Sequence, residues 1–149
     1  MPGIALRTSV IVGFPGETEE EFQRLCEFVQ WAKFDRLGAF RYAHEQGTAA
    51  FNLSEQVSEP VKQERYDRLM QVQQTIAREL QAQQIGRELL VHLDEPDAHD
   101  PQLWQGRSHA DCPEVDGLVY VKGAGLAAGQ FVMTRITDAY EYDLVGVPV

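Results

Sequence analysis

Cysteines, basic residues and long apolar segments are all scarce in this sequence. Its 149 residues include two cysteines, Cys26 and Cys112, and their spacing predicts neither a disulfide framework nor a standard zinc pattern. His99 and His109 lie near Cys112 in the sequence, but no fourth ligand follows at a zinc-site spacing. We therefore expect no metal site within this chain.

The sequence also lacks membrane and secretion signals. No apolar run approaches the roughly 20 residues that a membrane-spanning helix needs, and no signal peptide precedes the first predicted strand. These absences favour a cytoplasmic protein without membrane contact. The first strand needs neighbours on both sides if it belongs to a parallel sheet, and the sequence supplies one. We therefore expect that further sequence precedes residue 1.

Basic residues are outnumbered by acidic ones, 13 against 23, and the formal net charge is −10. Residues 1–82 hold 9 basic and 12 acidic side chains, a net −3, whereas residues 83–149 hold 4 and 11, a net −7. Such a surface repels the phosphate backbone, so nucleic-acid binding is not expected. It suits a basic protein partner, because complementary charge steers encounter. The alternative is that the acidity serves solubility alone.

The clearest local signal is a strand, a glycine-rich turn and a capped helix over residues 8–33. Val10–Val12 is a short β-branched run that predicts a buried strand. The turn Gly13–Gly16 contains two glycines and a proline, and Thr18 with Glu21 forms a capping-box pattern. The turn would lie at the carboxyl end of its strand, where βα folds bind ligands. A lone glycine-rich turn is also compatible with a plain βα connection.

The pattern continues with a second strand and a long helix. Leu37–Tyr42 completes a βαβ unit with a parallel pair, and a polar loop over residues 44–59 follows. A helix is predicted from Pro60 to about Ile85, with Gly86 as its stop. Its predicted buried stripe comprises Val61, Tyr66, Leu69, Met70, Gln73, Ile76, Ala77 and Leu80.

Short strands replace helices after Arg87. Five of them, spaced by turn residues, predict a small antiparallel barrel of the OB-like kind. The barrel holds aromatic residues that suit stacking, although alternation would place about half of them in the core. The predicted strands are Glu88–Asp94, Gln102–Ser108, Gly117–Lys122, Gln130–Thr137 and Tyr140–Val147, and the aromatic residues are Trp104, Tyr120, Phe131, Tyr140 and Tyr142.

Five sequence stretches carry a resemblance to a known enzyme family. They read TSVIVGFPGETEEEF, HEQGTAAF, LQAQQIG, GRSHADCPEVDG and ITDAYEYDLVG. Together they resemble the methylthiotransferases, which are radical S-adenosylmethionine enzymes with a C-terminal TRAM barrel. The segments DCPEVDG and YEYDLVG are most similar to the RimO-type branch, which methylthiolates an aspartate of small-subunit ribosomal protein 12. The resemblance covers nearly the whole chain.

The resemblance implies two domains and two groups of site residues. Residues 1–82 would form the terminal βαβ unit of a partial radical-SAM TIM-type barrel with a long docking helix, and residues 83–149 the five-stranded antiparallel TRAM barrel. Residues expected near S-adenosylmethionine are Gly13, Phe14, Pro15, Gly16, Glu17, Arg41 and Tyr42. Residues expected to bind the substrate protein are Arg107, Asp111, Glu114, Asp116, Tyr120, Asp138, Glu141 and Asp143.

Members of this family use two 4Fe–4S clusters, one of them held by a CxxxCxxC motif. Cys26 and Cys112 match neither ligand set, and such clusters need thiolates. We therefore expect a C-terminal portion that is monomeric, binds no cofactor by itself and has no activity alone, with ribosomal protein 12 as its partner. Alternatives are a non-catalytic RNA-binding module, a fragment of a tRNA methylthiotransferase, or an inert truncation product.

Overall fold

The computed structural model describes residues 3–149, which form two compact units. One unit comprises residues 5–76, and the other comprises residues 77–149 together with residues 3–4. In the described part of the chain, no helix is both long and apolar enough to cross a membrane. The boundary between domains that we placed after residue 82 stays a prediction.

The first unit is a βαβ arrangement followed by a long helix. Its elements are β1 (Arg7–Val12), α1 (Glu19–Ala32), β2 (Arg36–Arg41), a 3₁₀ helix (Ala49–Asn52) and α2 (Glu59–Ala82), whose last turns belong to the second unit. The two strands pair in parallel, with Val10 opposite Ala39, as predicted. Thr18 caps α1 through the predicted capping box with Glu21.

One face of the two-stranded sheet is buried and the other is open. Val12 and Leu37 are buried on one face, and α1 contributes Phe22 and Val29 to the core of this unit. On the opposite face Ile11 and Phe40 lie side by side in the register, yet they are 57% and 59% exposed. A parallel sheet ordinarily has both faces covered, so the open apolar face is an unusual feature.

Helix α2 differs from its predicted stripe in the first two turns. Leu69 and Ile76 are buried as predicted, but Lys62 and Arg65 are more buried than Val61 and Tyr66. The stripe was therefore wrong at this end, because long cationic side chains pack their stems and pair their charged ends with carboxylates. The helix also ends at Ala82, three residues earlier than predicted.

The second unit is a closed five-stranded barrel. Its strands are β3 (Glu88–Pro96), β4 (Leu103–Arg107), β5 (Val119–Lys122), β6 (Phe131–Ala139) and β7 (Leu144–Pro148), in the order β3-β4-β5-β7-β6. The predicted five-stranded barrel is confirmed, but the fully antiparallel arrangement is wrong, because β5 and β7 run parallel. Strands that alternate in direction cannot close a ring of five without one parallel pair.

The barrel core consists of aliphatic side chains that point inward from all strands except β4. Trp104 of β4 packs against this core, and Phe131, Tyr140 and Tyr142 are exposed. Tyr120 is half-buried and lies outside the core cluster. The expectation that about half of the five aromatic residues lie in the core was therefore wrong, because only Trp104 among these five described residues packs against it. The buried core residues are Val91, Leu93, Val119, Val121, Val132, Ile136 and Leu144.

Candidate functional site

The glycine-rich loop between β1 and α1 closes around a carboxylate. Gly13 has a φ of +74°, and its N–H donates to Oε1 of Glu17 at 3.0 Å. The N–H of Glu17 donates to the carbonyl of Phe14 at 2.9 Å, and that of Gly16 to the carbonyl of Glu55 at 3.0 Å. The carboxylate of Glu17 is therefore part of the loop's own hydrogen-bond network.

Two buried cations of α2 lie against this loop. Arg65 Nη1 donates to Oε1 of Glu17 at 2.6 Å and to its carbonyl oxygen at 3.0 Å. The stem of Lys62 fills the space where a side chain on Gly13 would lie, and its Nζ pairs with Glu59 at 2.6 Å. Sequence reasoning missed both cations, although their spacing to Leu69 continues the buried face of the helix.

A cleft of about 560 Å³ opens at the carboxyl end of β2. Arg41 and Tyr42 line it together with Glu59, Gln63 and Tyr66. The buried hydroxyl of Tyr42 has no hydrogen-bond partner among the described residues.

The predicted cofactor residues are partly brought together at this end of the sheet. The ring of Phe14 meets the ring of Tyr42 edge-on at 5.3 Å, which joins the loop to the cleft lining. The Glu17 carboxylate instead faces Gly13 and Arg65. This region thus offers backbone and aromatic groups to a ligand, together with the side chains of Arg41, Glu59 and Gln63.

A second cleft, of about 370 Å³, lies on the barrel and is acidic. Asp94 and Glu95 line it from β3, and Glu114 and Asp116 line it from the segment between β4 and β5. Its basic lining residue, Arg107, pairs with Asp94 at 3.2 Å. Three predicted substrate-binding residues thus converge here, whereas Asp94 and Glu95 were missed.

The segment between β4 and β5 is shaped by its own acidic residues. Asp111 accepts from the N–H and the hydroxyl of Ser108 at 2.9 and 2.7 Å. Asp116 accepts from the N–H of Cys112 at 2.6 Å. These bonds fix the conformation of the segment that forms one wall of the cleft. Asp111 stabilises this wall but is not among the described residues that line the cleft.

The remaining predicted substrate-binding residues lie elsewhere on the barrel. Asp143 accepts from the N–H of Leu118 at 2.7 Å, and Glu141 pairs with Arg78 at 2.8 Å. Asp138 is exposed near the end of β6. Burial, followed by the charges of Asp143 and Asp97, raises the pKa of Tyr120. The described lining of the cleft includes none of the four predicted residues Tyr120, Asp138, Glu141 and Asp143.

The residues of this chain do not fit an iron–sulfur cluster. Cys26 is buried on α1, where burial raises the pKa of its thiol, and Cys112 is exposed. Over residues 3–149, no group of three or more His, Cys, Asp or Glu side chains could hold a metal ion. Cluster ligands would have to come from other residues, since these clusters are held by sets of thiolates.

The chain is similar to known proteins over nearly its whole length. The TRAM domain family matches residues 85–149. The ribosomal protein uS12 methylthiotransferase RimO of Desulfitobacterium hafniense is 50% identical over 147 residues, which cover 98% of this chain and 33% of that protein. RimO of Heliobacterium modesticaldum is 49% identical over 146 residues, covering 98% and 31%.

A third relative gives the same picture. RimO of Synechococcus strain JA-3-3Ab is 50% identical over 146 residues, which cover 98% of this chain and 31% of that protein. The chain thus spans about one third of the length of the relatives it matches. These matches confirm the resemblance stated above from the sequence motifs. Over nearly its whole length, this chain matches the C-terminal part of the RimO-type methylthiotransferases and contains their TRAM domain.

Proposed function

We propose that this chain is the C-terminal portion of a radical S-adenosylmethionine enzyme that methylthiolates an aspartate of ribosomal protein uS12. In this proposal the barrel of residues 83–149 binds the substrate protein. The acidic cleft is the observation that carries the proposal. The substrate in this proposal is the one that the names of the RimO relatives give, ribosomal protein uS12.

The charge of the cleft favours a basic protein. Four carboxylates line it against one guanidinium, and that guanidinium is already paired with Asp94. A basic side chain that enters the cleft would therefore meet unbalanced negative charge. This charge favours the association of a basic protein with the barrel and fixes how the two proteins align. Residues 83–149 carry a net charge of −7, so the surrounding barrel adds to the attraction and disfavours nucleic acid.

The open face of the β1–β2 sheet supports the proposal that residues 1–82 belong to a partial TIM-type barrel. Ile11 and Phe40 lie on the face opposite the buried core. In a TIM-type barrel that face points into the barrel and is covered by side chains of the other strands. About two thirds of the length of the relatives lies outside this chain, which is sufficient to supply those strands.

The loop and the cleft at the end of β2 would hold S-adenosylmethionine. Gly16 lets a ligand approach the backbone, and Phe14, Pro15, Arg41 and Tyr42 would contact it, whereas the space at Gly13 is filled by the stem of Lys62. Glu17 would shape the loop through Gly13 and Arg65. S-adenosylmethionine, when bound, supplies the radical chemistry of this enzyme class. The chain's own residues provide no cluster ligands, so we expect no activity from residues 1–149 alone.

Binding measurements test the proposal. The purified chain is titrated with uS12 and, separately, with an anticodon-stem RNA, each at low and high salt. We expect binding to uS12 that weakens with salt, since the attraction is between exposed charges, and no RNA binding. Binding to the RNA instead would contradict the proposal and favour a tRNA-modifying relative or an RNA-binding module.

A further inference from the structure

We propose that Arg65 is a positioning residue that holds the glycine-rich loop in its shape before any ligand arrives. That the loop contacts a cofactor rests on the proposed function. The contacts that assign the positioning role to Arg65 are independent of it, and they all lie within residues 5–76. Arg65 was not singled out from the sequence, because it lies outside the predicted buried stripe of α2.

Besides Arg65, two further groups hold the loop from outside: the Glu55 carbonyl, which accepts from the Gly16 N–H at 3.0 Å, and the stem of Lys62, which packs at Gly13. Gly13 and Gly16 adopt φ angles of +74° and +85°, and glycine loses more backbone freedom on ordering than other residues. Within the loop, the backbone makes a single turn bond, from Glu17 N–H to the Phe14 carbonyl. The Glu17 carboxylate then ties the end of the loop back to Gly13 at 3.0 Å.

Arg65 fixes that carboxylate from a different element. Its guanidinium contacts Glu17 twice, at the carboxylate and at the carbonyl oxygen. The same carboxylate oxygen also accepts a hydrogen bond from the N–H of Gly13. Gly13, Glu17 and Arg65 are therefore joined by one chain of hydrogen bonds. Arg65 is 5% exposed, and charge-assisted bonds in such a site are short and directional.

Both hydrogen bonds to Glu17 come from Nη1 of Arg65, whose two N–H groups are fixed in the plane of the guanidinium. The planar fork of arginine can bond two acceptors at fixed angles, whereas a lysine ammonium acts as a compact point charge. Nε of Arg65 makes no hydrogen bond among the described residues and lies 3.6 Å from Oε2 of Glu19. Burying an ion pair costs desolvation energy, so the buried Arg65–Glu17 pair is not expected to add much to the free energy of unfolding. Its role is better explained by the loop conformation that it fixes.

Backbone order parameters of the 149-residue chain test the inference. In the native chain we expect rigid values, about 0.85, at the Gly13 and Glu17 amides. Arg65→Met should lower them below about 0.6, the range of flexible backbone, and Arg65→Lys should give intermediate values. The α1 amides of Phe22 and Val29 should keep their rigid values. The control Arg68→Met alters a cation that pairs with Glu19 and Glu64 and should leave the loop unchanged.

Two outcomes would overturn the inference. Rigid loop amides in Arg65→Met would show that the loop holds its shape without Arg65, and an equal loss of order in α1 would show a general packing role. If Arg65→Met does not fold, Glu17→Gln gives the same test, because it keeps an acceptor for Gly13 and removes the charge. The measurement uses no ligand. A separate titration with S-adenosylmethionine that shifts no loop amide would count against the proposed function and not against the role of Arg65.

Discussion

The stem of Lys62 lies where a side chain on Gly13 would have to be placed. Gly13 is therefore constrained twice, by its left-handed backbone and by the buried lysine beneath it. This contact joins the end of β1 to α2 inside the first unit. Both constraints favour glycine at this position.

Gly13→Ala should destabilise the first unit. The substitution adds a Cβ at a positive φ and forces it against Lys62, and strain and overpacking together cost about 2–4 kcal/mol. Thermal or urea unfolding measures the change. Gly47→Ala is the matched control, since Gly47 has a φ of +88° but no atom within 4 Å of an added Cβ. Equal losses for the two variants would contradict the contact with Lys62.

The capping box of α1 should make stability depend on pH in the acid range. Hydrogen bonds from Thr18 lower the pKa of Glu21 below its usual value of 4.5. A carboxyl whose pKa is lower in the folded state stabilises the fold above its unfolded pKa, and this contribution is lost as the pH falls through the folded pKa. The melting temperature should therefore fall less between pH 5 and pH 3 in Thr18→Val than in the native chain. These two pH values bracket the range in which the contribution of Glu21 is lost.

Glu21→Gln should reduce the same pH-dependent drop, because it removes the titrating group. The helix should also lose stability at neutral pH in Thr18→Val, by about 1 kcal/mol for the missing N-cap. A native pH dependence in both variants would show that other carboxylates control the acid transition.

The exposed pair Ile11 and Phe40 should bind hydrophobic dyes in this chain. Replacing both by threonine removes the open apolar face and should lower the fluorescence of bound anilinonaphthalene sulfonate, with little loss of stability because both side chains are exposed. The control Leu90→Thr/Met133→Thr changes two exposed apolar residues that pair across β3 and β6 of the barrel. A dye signal that falls in the control alone would argue against the sheet face as the uncovered surface.

Local signals in the sequence were sufficient for much of the fold. The capping box at Thr18 and the β-branched run before Gly13 depend on neighbours in sequence, and both are observed. The presence of one parallel pair in the barrel could also have been predicted, since five strands cannot close with alternating directions alone, but closure does not specify that β5 and β7 form it. The burial of Lys62 and Arg65 was missed, because charged side chains are ordinarily assigned to the exposed face of a helix, although their spacing to Leu69 follows the buried face.

The acidic cleft also could be predicted only in part from the sequence. Asp94 and Glu95 are neighbours, and strict strand alternation would send them to opposite faces. The pairing of β3 with β4 shifts between Leu93 and Glu95, and a bulge of this kind re-aims side chains. Both carboxylates consequently line one cleft. Arg107, Glu114 and Asp116 were predicted from the resemblance, and they lie in one of the sequence stretches that carry it, GRSHADCPEVDG.

The most direct test of the account is the affinity of uS12 for a variant of the acidic cleft. In Glu95→Gln/Glu114→Gln two cleft carboxylates are neutralised, while Asp138→Asn/Glu88→Gln neutralises two barrel carboxylates that are not among the cleft's described lining residues. Isothermal titration calorimetry at low salt gives the dissociation constants. We predict a loss of about tenfold or more for the cleft variant, equivalent to about 1.4 kcal/mol, and less than threefold for the control. Equal losses for the two variants, or none for the cleft variant, would contradict the proposal that this cleft binds the substrate protein.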